Sequence, residues 1–155
     1  MRRFVVALVA VLIGVFAVSG CAPTVNSADH PTAGVWGYVA SARDAALEIQ
    51  AVQDVSGGEL VVDRVLAPAD AWIVVHLDDD GSPGMRVGLA PIASGESRNI
   101  RVPVEGELTD SLIVAVHADK GTPGEFDFSM DDPAGSPDRP YFVGGVELAS
   151  VVAVE

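Results

Sequence analysis

From Leu47 onward the chain never sustains an apolar pattern long enough for a helix. Short apolar stretches alternate instead with glycine- and proline-rich breaks, a spacing that belongs to a domain built from strands. Leu47, Ile49 and Ala51 alternate with Glu48 and Gln50, and further strands are predicted at residues 60–66, 72–77, 86–92, 97–104, 112–118 and 147–154, seven in all. Turn chemistry separates them at Ser56-Gly57-Gly58, Asp80-Gly81-Ser82-Pro83-Gly84, Ser94-Gly95 and Gly121-Thr122-Pro123-Gly124, where Gly and Pro supply the backbone angles of tight turns. Residues 35–46, around Trp36 and Tyr38, are the one place where a short helix is expected.

The other end of the chain carries a different signal. Arg2 and Arg3 precede an apolar run over residues 4–18, which closes on Val18, Ser19, Gly20 and Cys21. Charged start, short apolar stretch and small residues at a cleavage point make a secretion signal. The run is shorter than the roughly 17 to 25 residues a membrane-spanning helix needs. The residues before Cys21 resemble the bacterial lipobox, and that resemblance implies cleavage after residue 20, with Cys21 lipidated as the first residue of the mature protein. Residues 21–44, rich in Ala, Ser, Thr, Pro and Gly, then read as a flexible tether, and His30 falls within it. The domain follows over residues 45–155. The expected location is the extracytoplasmic face of the cell membrane, where acyl chains at about 0.8 kcal/mol per buried methylene hold a protein firmly.

Charge narrows the partners. Residues 1–20 contain two of the nine basic residues and none of the 22 acidic ones, so the remainder carries a formal charge of about −15. Such a surface repels nucleic acid and anionic headgroups, and no basic stripe interrupts it, so nucleic-acid binding is not expected. Cys21 is the sole cysteine. Once lipidated it forms no disulfide, and stability rests on a packed core.

One pattern recurs. Val75-His76-Leu77-Asp78 runs into Gly81-Ser82-Pro83-Gly84, and Val116-His117-Ala118-Asp119 into Gly121-Thr122-Pro123-Gly124. Period-two alternation sets Ile73, Val75 and Leu77 opposite Trp72, Val74 and His76, and Leu112, Val114 and Val116 opposite Ile113, Ala115 and His117. The two histidines thus hold equivalent places, and neighbouring strands would open both acidic loops at one end of the sandwich. Imidazole suits copper or zinc, which makes His76 and His117 the candidate ligands, although a catalytic zinc site takes three protein ligands and no third is evident. A blue-copper centre needs a thiolate, which Cys21 cannot supply. Calcium wants several oxygens, and Asp78, Asp79 and Asp80, or Asp119, Glu125, Asp127, Asp131 and Asp132, offer carboxylates, but neither run has the EF-hand spacing.

No enzyme motif is present: the sequence contains no Gly-x-Ser-x-Gly elbow, no phosphate loop with lysine and no His-Glu-x-x-His. Catalysis and cofactors are therefore not expected. Trp72, Phe126, Phe128, Tyr141 and Phe142 are either core or an aromatic ligand surface.

Trp72-Ile-Val-Val-His76, Asp80-Gly-Ser-Pro-Gly84, Val116-His117-Ala-Asp119, Phe126-Asp-Phe128 and Asp138-Arg-Pro-Tyr141 form an ordered series. Together they resemble an uncharacterised β-sandwich domain of exported and surface proteins of archaea and bacteria, over about residues 46–155. Those domains often carry an Asp- and Asn-rich loop after the second histidine. Here Lys120-Gly121-Thr122-Pro123-Gly124 stands in its place, which weakens a cation role for that loop. The resemblance implies fold and location rather than activity. The expectation is a single immunoglobulin-like or cupredoxin-like sandwich, acting as a non-catalytic binding or structural module of the cell envelope toward an unknown envelope protein or ligand, with weak metal binding as the alternative.

Overall fold

A computed structural model describes residues 36–155. The expected secretion signal with Cys21, His30 and most of the expected tether lie outside the described residues. The described part is an all-β sandwich of eleven strands: β1 (Tyr38–Ala40), β2 (Ala46–Glu48), β3 (Val52–Gln53), β4 (Glu59–Ala67), β5 (Ala71–Asp79), β6 (Ser82–Ile92), β7 (Gly95–Pro103), β8 (Ser111–Ala118), β9 (Tyr141–Val143), β10 (Val146–Glu147) and β11 (Ala149–Val154). A three-stranded sheet, β2-β4-β7, faces a five-stranded one, β3-β11-β8-β5-β6, and a small third sheet is ordered β1-β9-β10. Among the described residues no helix is long and apolar enough to cross a membrane.

Alternation puts the core between the two larger sheets. Leu60, Val62 and Val102 from one sheet meet Ile73, Val75, Leu112, Val114, Val116 and Val152 from the other, all fully buried. Each such side chain contributes about 1.5–3 kcal/mol of burial, and no disulfide assists them.

The differences from the sequence reading are local and have physical causes. Residues 47–51 are not one strand, because the chain changes sheets there: β2 pairs with β4 on one side of the core and β3 with β11 on the other. The helix expected at 35–46 is replaced by β1, a turn and β2. Tyr38–Ala40 run parallel to Tyr141–Val143, so the chain is engaged with the sheets from Tyr38, ahead of residue 45. The strand read at 147–154 is divided between β10 and β11. At the β5–β6 hairpin, Asp79 pairs with Ser82, and Asp80 (φ 51°) and Gly81 (φ 85°) form a two-residue loop in the left-handed region, as the tight Asp-Gly hairpin requires.

Candidate functional site

β5 and β8 lie side by side and antiparallel, with Trp72 opposite His117, Val74 opposite Ala115 and His76 opposite Ile113. These six side chains share the face turned away from the core, yet all are buried. A sheet apolar on both faces needs a cover on each, and the cover here is the excursion between β8 and β9 together with the small third sheet. Phe126 packs T-shaped against Trp72, with ring centres 5.8 Å apart, and Phe126 and Phe128 both make T-shaped contacts with the His117 ring, at 5.5 and 4.9 Å. Arg86 stands over the Phe126 ring at 5.2 Å.

The excursion is organised by a fully buried carboxylate. Asp138 Oδ1 accepts the backbone N–H groups of Lys120 (2.7 Å) and Gly121 (2.9 Å), and Oδ2 accepts that of Asp127 (2.8 Å). Three donors offset much of the cost of removing a charge from water. Tyr38 ties the excursion to the third sheet by donating its hydroxyl to the Pro137 carbonyl at 2.8 Å.

Between floor and cover lies a cavity of about 450 Å³, within the size range of small-molecule sites. His76 and His117 are in its floor, and Trp36, Phe128, Met130, Phe142 and Glu147 are among its walls. The ring centres of the two histidines are 6.2 Å apart. Each donates its Nδ1 proton to a backbone carbonyl, His76 to Gly84 at 2.9 Å and His117 to Asp138 at 2.8 Å. A carbonyl can only accept, so in both neutral rings the lone pair is on Nε2. Burial pushes the His117 pKa down to about 4, against the pull of the Asp138 carbonyl, and lowers that of His76, helped by nearby Arg86. Burial raises the pKa of Glu147. The cavity thus favours neutral groups, two of them imidazoles that accept hydrogen bonds.

The sequence-level candidates divide. His76 and His117 do share a face and a cavity, but the loops that follow them leave opposite ends of the sheet, because their strands are antiparallel neighbours. The acidic residues do not gather: among the described residues no three His, Cys, Asp or Glu side chains are placed to hold one ion. Their carboxylates shape turns instead. Asp78 accepts Gly81 N–H and the Ser111 hydroxyl, Asp119 accepts Gly124 N–H, Asp80 holds the left-handed turn position, and Asp127 is exposed beside Gly121. Of the aromatics, Tyr141 enters the core, Trp72 and Phe126 close one end of the covered face, and Phe128 and Phe142 line the cavity.

Sequence reasoning passed over Asp138 as an organiser and Trp36, Met130 and Glu147 as lining. The signal for a second covered face was present in Trp72-Ile-Val-Val and Leu112-Ile-Val-Ala-Val, which are unbroken apolar runs rather than alternations. Residues 45–155 match the family described as a domain of unknown function (DUF7282). No curated protein and no solved structure matches the chain.

Proposed function

The chain belongs to the DUF7282 family, whose function is unknown, and from that premise we propose a lipid-anchored, extracytoplasmic, non-catalytic binding module of the cell envelope. Its ligand site is the cavity over the outer face of β5 and β8. The observation that carries this reading is the half-open, aromatic-walled cavity with two neutral imidazoles in its floor. The ligand class it fits is a small molecule with an apolar or aromatic body and hydrogen-bond donors for the two Nε2 atoms. A pKa near 4 leaves His117 a weak base at neutral pH, and a general base works best with a pKa near the operating pH; binding suits the pair better than proton transfer.

The anchor rests on Arg2, Arg3, the apolar run and the small residues before Cys21. Expression with labelled palmitate in a bacterium tests it. The wild-type chain takes up label and sediments with membranes, whereas Cys21→Ser does neither; an unlabelled wild-type chain contradicts the anchor. The site is tested by saturation-transfer NMR with a panel of small aromatic fragments. Fragments bind the wild type and are lost from Ser82→Trp, a change at an exposed hairpin residue that lines the cavity. Equal binding by both would move the site elsewhere.

A further inference from the structure

Resting on that cavity as the binding site, we propose that its floor takes a soft, low-coordinate cation, copper(I), on His76 Nε2 and His117 Nε2, with the Met130 thioether as a third donor. Three observations converge. Both histidines give their Nδ1 proton to a backbone carbonyl, the arrangement that fixes the tautomer and orientation of metal-bound imidazole. The rings are 6.2 Å apart. With a metal–nitrogen bond of about 2 Å, the ion lies roughly 3 Å from each ring centre, so two rings stand about 6 Å apart only when they share the ion in a near-linear arrangement, with any third donor entering from the side. The same cavity is lined by Met130, one of the chain's three methionines.

The donor set selects the ion. Zinc in protein sites takes three or four ligands from His, Cys and carboxylate, and among the described residues no such trio exists. Copper(II) prefers a tetragonal set of nitrogen and oxygen donors, whereas copper(I) accepts imidazole and thioether. Phe128 and Phe142 wall the cavity, and a chain with a net charge of −13 concentrates cations around itself.

The experiment uses the full chain carrying Cys21→Ser, so that its only thiol does not compete, titrated without oxygen against copper(I) held by bicinchoninate. The protein withdraws one copper(I) per chain, and the Nε2 nitrogen resonances of both histidines move on binding. His76→Gln weakens uptake by at least about tenfold, the lower end of what losing even an outer-shell partner costs. Met130→Leu, at an exposed position, weakens it while leaving the fold intact. Copper left with the chelator while aromatic fragments still bind overturns the copper site and keeps the binding module. Zinc or copper(II) held as tightly as copper(I), or uptake untouched by His76→Gln, also overturns it. If neither copper nor fragments bind, the cavity reading falls with it.

Discussion

His117 donates its Nδ1 proton to the backbone carbonyl of Asp138 at 2.8 Å, while the Asp138 carboxylate gathers three N–H groups from the excursion that covers the histidine. One residue therefore sets both the tautomer of the cavity floor and the shape of its cover. Asp138→Ala removes the acceptor from three partly buried donors and is expected to cost about 3 kcal/mol or more. Urea denaturation reads the loss. A change within 1 kcal/mol, on the scale of an ordinary surface substitution of about 0.5 kcal/mol, would show that the carboxylate does not organise the excursion.

Acid acts on the same pair. His117 titrates at about 4 when folded against 6.5 when exposed, so between these values the unfolded chain binds more protons. The stabilisation is complete above pH 6.5 and is lost as pH falls toward 4, by about 3 kcal/mol for this group. His76, also lowered and facing Arg86, adds in the same direction. Glu147, whose pKa is raised by burial, works in the opposite sense. His117→Gln should flatten the pH dependence of the urea midpoint across that window; an unchanged slope would assign acid sensitivity to other groups.

Glu147→Gln should stabilise the protein by an amount that grows with pH. A carboxyl with a raised folded pKa binds its proton more tightly in the folded state, so its ionisation costs stability as pH rises through that value. Thermal melts of both proteins at acid and alkaline pH check this, and parallel curves would contradict it.

Gly37 is packed where no side chain fits. A Cβ there would stand 2.2 Å from the Pro140 carbonyl oxygen and 2.5 Å from the Phe142 ring. Gly37→Ala is expected to cost roughly 1–3 kcal/mol, as overpacking does. It should also displace Phe142 from the cavity wall, which a weakened fragment-binding signal would register.

Calcium should leave the thermal midpoint unchanged, because the carboxylates of Asp78 and Asp119 are committed to turn N–H groups and no acidic trio converges among the described residues. A saturating ion adds about 2.7 kcal/mol at 100 times its dissociation constant. A rise of that size would contradict the turn-forming role.

The strands of the core were legible because alternation and turn residues agree there: Ile73 and Val75 point one way, and Asp80-Gly81 closes the hairpin. The crossing between sheets after Glu48 was not, since Leu47, Ile49 and Ala51 alternate as smoothly as a continuous strand would. The histidine pair was legible as a pair, but its setting was not. Whether a loop such as 119–140 stays solvated or folds back over a sheet depends on contacts distant in sequence, such as Tyr38 with Pro137. The internal repeat misled for a related reason: similar strings in antiparallel neighbours send their loops to opposite ends, and only one became a tight hairpin.

The most direct test of the cavity as the binding site is a map of backbone amide shifts in the full chain, recorded as a bound aromatic fragment is titrated in. Shifts should concentrate at Trp36, His76, His117, Phe128 and Glu147 and disappear in Ser82→Trp. Shifts centred on the exposed face of β4 and β7, with the cavity residues silent, would contradict the assignment.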